Sequence, residues 1–124
     1  SVEKVHLNYA NLEDKDKAVA YLRSIYTNDE YHITSSHFSN LEITHRDATK
    51  YAAVLRIAQE LNIDSNNVLT IGDGQNDLGM FEVSSHSVAM VNGHADVKAK
   101  ANYVTEVDND NSGWSKFIKD YIYY

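Results

Sequence analysis

Two carboxylates that follow a short apolar run are the residues of this chain best suited to chemistry. Residues 68–71 are apolar or β-branched on both faces and too few for a helix, which predicts a buried strand. Asp73 and Asp77 fall just beyond its carboxyl end, where open α/β sheets bind their ligands. Such oxygen ligands suit a hard cation, and Mg²⁺ is the candidate. The alternative is an acidic surface turn, because Gly, Asp and Asn are also the usual residues of turns.

Two glycines, Gly72 and Gly74, stand on either side of Asp73. A glycine allows a sharp bend of the backbone and leaves room for another group to approach it closely. We therefore expect the chain to turn tightly after the strand and to leave space there for a ligand.

Composition restricts the kind of protein that could carry this loop. The chain has 124 residues, of which 43% are hydrophobic and 23% charged, as in a globular chain of one domain or one domain and a fragment. A net charge of −7 argues against binding to nucleic acid. The absence of cysteine excludes disulfides, thiolate zinc sites and cysteine nucleophiles. No apolar run could span a membrane and no leader peptide opens the chain, so we expect a cytoplasmic setting.

The first third of the sequence predicts a small α+β layer. Residues 2–7 alternate between apolar and polar, which is typical of a strand. Asn11 or Asp14 could cap the helix that follows, and we expect one face of that helix to be buried. The apolar residues of this face are Ala18, Val19, Leu22, Ile25 and Tyr26. Residues 31–36 and 41–44 predict two more strands.

The remainder alternates helix and strand, which is the pattern of a parallel sheet covered by helices. Asp47 or Thr49 could cap the first helix of this part. Its apolar face, which we expect to be buried, consists of Val54, Leu55, Ala58 and Leu61. The elements predicted after the acidic loop are a helix over 78–83, a strand over 87–90, a helix over 96–101, a strand or extended segment over 103–107 and a helix over 114–122. The residues of the last helix expected to point inward are Phe117, Ile118, Tyr121 and Ile122.

Four segments together carry a resemblance to a known family. They are Thr49-Lys50 at a helix start, the loop from Gly72 to Met80, the Val-Ala-Met-Val-Asn run at 88–92 and the Lys-Ala-Lys-Ala run at 98–101. Their order and spacing resemble the third and fourth motifs of the haloacid dehalogenase-like (HAD) hydrolases, most of all the Cof-type sugar-phosphatase branch. The resemblance implies an α/β fold, the C-terminal half of a HAD-like Rossmannoid parallel sheet with part of an α+β cap domain. Residues 1–44 would form the partial cap and residues 45–124 the C-terminal part of the core domain.

The resemblance also implies a role for each residue of the site. Asp73 resembles the Mg²⁺ ligand, and Asp77 resembles the second acidic residue, which binds the metal directly or through water. Asn76 resembles a residue that lines the phosphate pocket. Lys50 resembles the catalytic lysine that binds the phosphate of a small phosphorylated metabolite and offsets the charge of the phosphorylated intermediate. A cation and a metal facing one phosphate suit phosphoryl transfer, in which positioning and charge neutralisation dominate.

Two parts of the family's machinery are missing from the sequence, the nucleophile segment and the serine or threonine motif that contacts phosphate. The family's aspartate nucleophile lies on a first core strand that precedes the cap, whereas this sequence begins within what resembles the cap. The acidic clusters Asp14-Lys15-Asp16 and Asp108-Asn109-Asp110 follow no apolar strand and are interpreted as solvated turns. Two smaller departures are Tyr51 and Val91, each where a glycine is usual. We therefore expect the chain to be the carboxyl-terminal part of a Mg²⁺-dependent phosphatase that acts through an aspartyl-phosphate, and to be inactive alone.

Two other functions and one interaction follow from the same residues. A P-type ATPase fragment shares the Gly-Asp-Gly-x-Asn-Asp loop, although those pumps usually continue with Ala-Pro and this chain continues with Leu78-Gly79. A non-catalytic HAD-like binding module is the other alternative, because a fold does not fix a function. In the resembling fold the strand at 68–71 pairs with the nucleophile's strand, so its edge would be free here and would favour self-association.

Overall fold

The computed structural model describes residues 3–26, 29–35 and 37–123. The predicted strand start at Val2 and the predicted strand end at Ser36 lie outside these residues. Within them the chain forms two three-stranded sheets, one antiparallel and one parallel. The first sheet uses residues up to His45, one residue beyond the predicted domain boundary. None of the helices in the described ranges is long and apolar enough to cross a membrane.

The first sheet carries one helix and is antiparallel throughout. Its elements are β1 (Lys4–Asn8), α1 (Leu12–Ile25), β2 (Tyr31–Thr34) and β3 (Asn40–His45). The strand order is β1-β3-β2, so β3 pairs on both sides. Asn11 caps α1, because its side chain accepts a hydrogen bond from the Asp14 N–H at 2.9 Å. The sequence had left the choice between Asn11 and Asp14 open.

The predicted buried face of α1 is wrong in degree. No residue of α1 is buried: Ala18, Val19 and Leu22 are half-buried, and Ile25 and Tyr26 are exposed. Among the strands in the described residues, β3 is the one on which α1 mainly packs. The antiparallel sheet therefore covers only part of the apolar stripe of the helix. Helical periodicity gives the direction of an apolar face, whereas the depth of its burial depends on the neighbouring layer.

The second sheet is parallel and alternates with helices, as predicted. Its strands are β4 (Leu69–Gly72), β5 (His86–Ala89) and β6 (Tyr103–Val104), in the order β4-β5-β6. Its helices are α2 (Lys50–Glu60), α3 (Leu78–Glu82), α4 (Ala95–Lys100) and α5 (Gly113–Tyr121). The buried centre of this half joins α3, β5 and α4, and it contains Phe81, Ala89 and Val97 with Leu78, Met80 and Ala101 against them.

Several residues expected inside this half are exposed or only half-buried. Leu61 is 63% exposed, and in α5 Phe117 is buried while Tyr121 and Ile122 are 60% and 53% exposed. Tyr121 instead stacks on the Phe117 ring, with centroids 4.4 Å apart. A strand or extended segment is predicted over 103–107, and its strand part is β6, Tyr103–Val104. β4 is half-buried at Leu69 and Ile71 because, among the described residues, it pairs with β5 on one side only.

Candidate functional site

The lysine of the site is positioned by the start of α2. Thr49 is the N-cap: its Oγ1 accepts the Ala52 N–H at 3.1 Å and donates to the Arg46 carbonyl at 3.0 Å. Thr49, and not Asp47, is therefore the cap that the sequence left undecided. Lys50 is the first residue of the helix and extends towards the carboxyl end of β4.

An ion pair joins this lysine to the acidic loop. Lys50 Nζ lies 2.5 Å from Asp77 Oδ1, and the Asp77 side chain is 3% exposed while that of Lys50 is 52% exposed. The second carboxylate oxygen of Asp77 accepts the backbone N–H groups of Asp73 at 2.9 Å and Gly74 at 3.1 Å. Asp77 therefore closes the loop on itself and holds the ammonium beside it.

These contacts lower the pKa of Asp77 below its usual 3.8. Burial by itself would raise the pKa, because it disfavours the charged form. The hydrogen bond from Lys50, those from the N–H groups of Asp73 and Gly74, and the lysine charge outweigh burial. Asp77 is therefore a carboxylate at neutral pH.

The stability of the fold should depend on this carboxylate at acid pH. Because the folded-state pKa lies below the unfolded value, the stabilisation is present above 3.8 and is lost as the pH falls through the lower, folded-state pKa. Urea unfolding followed by circular dichroism between about pH 2 and 6 measures this dependence. Asp77→Asn should flatten the acid part of the curve, and an unchanged curve would contradict the assignment.

Gly72 allows the close approach of another group, as the sequence predicts, and that group is the Asp77 side chain. No glycine in the described part of the chain has a positive φ, and Gly74 has a φ of −116° that any residue can adopt. A Cβ on Gly72 would lie 2.4 Å from the Cβ of Asp77 and 2.8 Å from its Oδ2. The Asp77 side chain thus occupies the place that any larger residue at position 72 would need.

Asp73 is the exposed carboxylate of the loop. Its backbone is held from the neighbouring loop, because the His94 N–H donates to the Asp73 carbonyl at 2.9 Å. The carboxylates fit Mg²⁺, which takes one or two of them together with waters and phosphate oxygens. Asp77 already accepts three of the roughly four hydrogen bonds that a carboxylate can accept, so it keeps about one position, on Oδ1. Asp73 would be the main protein ligand, and the metal roles of both residues stay predictions.

Asn76 lies between the two halves of the chain. It is half-buried and lines a large open cleft of about 1220 Å³ and a small cavity of about 60 Å³. The large cleft also contains Tyr51, which packs beside Gly79 and so shapes this space. The structure thus brings Lys50, Asp73, Asn76 and Asp77 to one edge of the parallel sheet.

Other acidic and polar residues do not join this site. Asp14-Lys15-Asp16 lies in the first turns of α1, where Asp14 takes part in the cap, so the interpretation of this cluster as a turn is wrong. Asp108 accepts the Asn111 N–H at 3.0 Å in a turn, as interpreted. Asn92 donates to Asn109 Oδ1 at 2.6 Å and so links two loops. In the described ranges, no three His, Cys, Asp or Glu side chains are grouped as a metal site.

The side chains that the first sheet presents to this edge were not predicted from the sequence. His32 and Thr34 line both spaces, while Lys4, Glu42 and Thr44 line the small cavity together with Lys50. The available signal was the alternation of polar and apolar residues along β2 and β3. It shows that each strand has a polar face but does not show what that face contacts.

Comparison with known sequences identifies the family to which the chain belongs. The sequence profile of the haloacid dehalogenase-like hydrolases matches residues 1–118. The chain belongs to this family. The HAD match includes both the antiparallel sheet and the lysine helix with its acidic loop, which favours the phosphatase interpretation over the pump.

Individual HAD relatives agree in sequence and in structure. The 5-amino-6-(5-phospho-D-ribitylamino)uracil phosphatase YcsE of Bacillus subtilis is 31% identical over 112 residues, which are 90% of this chain and 45% of that protein. A haloacid dehalogenase-like hydrolase from B. subtilis superposes with a TM-score of 0.85 and 29% identity, over 96% of this chain and 40% of the other. The HAD subclass IIB sugar phosphatase BT4131 gives 0.80 and 29%, over 98% and 44%. The chain therefore spans less than half the length of each of these proteins.

Proposed function

We propose that this chain carries the lysine, the metal-binding loop and part of the cap of a Mg²⁺-dependent phosphatase that hydrolyses small phosphate monoesters. One observation carries the proposal: the Lys50 ammonium is held 2.5 Å from Asp77, beside Asp73 and Asn76 at the carboxyl end of β4. This edge of a parallel sheet is where such folds bind their ligands. The cytoplasmic setting stays a prediction.

The side chains present have complementary tasks in binding a phosphate. Mg²⁺, when bound through Asp73 and the remaining position on Asp77, would supply positive charge to the phosphoryl oxygens. Lys50 is half-exposed, so its ammonium can donate to a phosphate oxygen while Asp77 stays anchored by the loop backbone. Asn76 offers an amide N–H₂ group from the same loop. Phosphoryl transfer depends mainly on such positioning and charge neutralisation.

The names of two relatives support one substrate class, namely phosphorylated metabolites that carry hydroxyl groups. One is named for a substrate with a phosphoribityl chain, and another is a sugar phosphatase. We propose that this chain serves the same class, such as a sugar phosphate or a polyol phosphate. The proposed chemistry passes through an aspartyl-phosphate whose aspartate lies outside the 124 residues.

The binding half of this function can be tested directly. Isothermal titration with MgCl₂, in the presence of inorganic phosphate, should show binding that Asp73→Asn weakens by at least about tenfold, because a ligand carboxylate is lost. Amide chemical shifts should change at residues 72–77. Asp16→Asn, at an exposed aspartate of α1, is the matched control and should bind as the parent does. Equal binding by Asp73→Asn would refute the metal site.

Because the proposed nucleophile lies outside the 124 residues, we expect these residues alone to show no turnover. Nucleophile and general acid act as a unit, and their loss removes most of the rate. p-Nitrophenyl phosphate with Mg²⁺ should therefore not be hydrolysed above background. Activity that disappears in Asp73→Asn would contradict the proposed origin of the nucleophile. An Asp-x-Asp segment encoded in frame upstream of Ser1 would favour the enzyme over the non-catalytic binding module.

We also propose self-association through β4. This strand pairs with β5 on one side, and no described residue pairs with its other edge. A free edge with half-buried apolar side chains at Leu69 and Ile71 is suited to pairing with a second copy. Sedimentation velocity across a concentration series should show a dimer or larger species. A monomer at every concentration would argue against the pairing.

A further inference from the structure

The loop between β5 and α4 holds the acidic loop from one side. Its residues 90–94, which we call the supporting loop, connect the second strand of the parallel sheet to a helix. The His94 N–H donates to the Asp73 carbonyl at 2.9 Å. Gly93 lies so close that a Cβ there would be 2.9 Å from the Asp73 carbonyl oxygen and 3.0 Å from the Asp73 Cα. The supporting loop therefore contacts the main chain of the residue that we propose as the main Mg²⁺ ligand.

The backbone of Asp73 is fixed at both of its polar groups. Its N–H donates to the buried Asp77 carboxylate at 2.9 Å, and its carbonyl accepts the His94 N–H. Asp73 is exposed, so the direction of its carboxylate depends on these backbone contacts rather than on tight packing of the side chain. A displaced supporting loop would therefore move the carboxylate relative to Asp77, with which it would share the ion.

Lys98 of α4 holds the supporting loop in place. Its Nζ donates to the Val91 carbonyl at 3.0 Å, and its N–H donates to the His94 carbonyl at 3.0 Å. The Val91 N–H in turn donates to Oγ1 of the buried Thr105 at 3.0 Å. Lys98 is half-buried, whereas Lys100 of the same helix is exposed. Because a charged donor makes a stronger hydrogen bond than a neutral one, the Lys98 ammonium limits the movement of the loop.

A second side chain of α4 contacts the acidic loop directly. Gln75 Nε2 donates to Asp96 Oδ2 at 3.1 Å, and Asp96 Oδ1 accepts the Val97 N–H at 3.1 Å. Val97 is fully buried in the centre of this half of the chain, so the carboxylate extends from a fixed part of the helix. The helix is thus linked to the acidic loop twice, at Asp73 through the supporting loop and at Gln75 through Asp96.

We propose that α4 positions the acidic loop for Mg²⁺, with Lys98 and Asp96 as the positioning residues. Neither of them contacts the ion. Lys98 acts through the supporting loop on the backbone of Asp73, and Asp96 acts through the side chain of Gln75. The inference rests on the proposed function, because it presumes that Asp73 binds Mg²⁺.

The sign of the effect at Lys98 separates positioning from charge. Removing a positive charge from the chain favours the binding of a cation, so charge alone would make Lys98→Met bind Mg²⁺ more tightly. Loss of the hydrogen bond to the Val91 carbonyl should instead release the supporting loop and weaken binding. Titration in about 0.15 M salt, where charges are screened beyond about 8 Å, reduces the first effect and leaves the second.

Isothermal titration of the full chain with MgCl₂, in the presence of inorganic phosphate, measures the effect at Lys98. Lys98→Met should weaken Mg²⁺ binding by about three- to tenfold, which is the worth of about one hydrogen bond. Lys98→Arg keeps a charged donor and should restore most of the affinity. Lys100→Met removes the same charge from an exposed position of the same helix, so this matched control should bind as the parent does.

Hydrogen exchange in the absence of Mg²⁺ gives a readout that does not depend on the ion. The His94 amide proton reports the bond between the supporting loop and Asp73. It should exchange about three- to tenfold faster in Lys98→Met than in the parent, because local opening of the loop becomes easier. Lys98→Arg and Lys100→Met should exchange at close to the parent rate.

Asp96→Ala tests the second link by the same titration. It should weaken Mg²⁺ binding by about threefold, because the hydrogen bond from Gln75 is exposed and near the lower end of the usual range. Asp96→Asn keeps an acceptor oxygen and should keep most of the affinity, which separates the bond from the charge. Gln75→Leu should have an effect equal to that of Asp96→Ala, and combining the two should add little, because both remove the same bond.

Circular dichroism should show every variant folded. Lys98→Met that binds Mg²⁺ as tightly as the parent or more tightly would overturn the proposal, as would an equal loss in Lys100→Met. If Lys98→Met does not fold, the Asp96 variants decide, and equal affinity of Asp96→Ala and the parent would then overturn it. A parent chain that does not bind Mg²⁺ would instead refute the metal site of the proposed function.

Discussion

Replacing Asp77 with alanine is expected to lower the free energy of unfolding by about 2 to 4 kcal/mol. The substitution removes the acceptor of three hydrogen bonds, two of them from the backbone N–H groups of Asp73 and Gly74. The hydrogen bond from the Gly74 N–H is buried and that from the Asp73 N–H is partly buried, so donors left unsatisfied there cost free energy. The ammonium of Lys50 contributes less to the loss, because it is half-exposed and water can solvate it.

Asp73→Ala is the matched control for this change. It removes a carboxylate four residues away in the same loop, but that side chain is exposed, so the free energy of unfolding should change by less than about 0.5 kcal/mol. Urea denaturation of both variants gives the two values. Equal losses would show that Asp77 has no special structural part in the loop.

Gly72→Ala should destabilise the chain by about 2 kcal/mol or more and should disturb the Lys50–Asp77 pair. The added methyl group would lie 2.4 Å from the Asp77 Cβ, which is too close for two carbon atoms. Asp77 cannot withdraw without breaking its bonds to the backbone of the loop. Thermal and urea unfolding measure the loss, and changed amide shifts at Asp73 and Gly74 would report the displaced carboxylate.

Gly79→Ala is the matched control for Gly72→Ala. At this position a Cβ would lie 3.1 Å from the Cβ of Tyr51, a contact that a small shift relieves. Alanine also favours a helix over glycine by about 1 kcal/mol, which offsets the crowding in α3. The variant should therefore unfold within about 1 kcal/mol of the parent. A loss as large as that of Gly72→Ala would mean that any added methyl group in this region is disruptive.

The local features of the site could be predicted from the sequence. A short apolar run followed by Gly72 and Asp73 indicates a strand that ends in a tight loop, because few other structures accommodate that order. Thr49 before an amphipathic segment indicates a helix start in the same way. Alternating helix and strand then required a parallel sheet, and the structure has one.

Features that depend on distant contacts could not be predicted. Nothing local distinguishes Asp77 from Asp73, yet one is buried under three hydrogen bonds and the other is exposed. The exposure of Leu61 and Ile25 likewise depends on which layers cover each helix. Glu42 is buried although it stands in an ordinary alternating strand, the central strand of the antiparallel sheet.

The short connection between β3 and α2 links the antiparallel sheet to the lysine of the site. Only residues 46–49 separate the strand that carries Glu42 from the helix that begins with Lys50. The connection is pinned at both ends, by the Arg46 N–H on the Glu30 carbonyl at 2.8 Å and by Thr49 on the Arg46 carbonyl. A tilt of β3 would therefore move the start of α2 and, with it, the amine of Lys50.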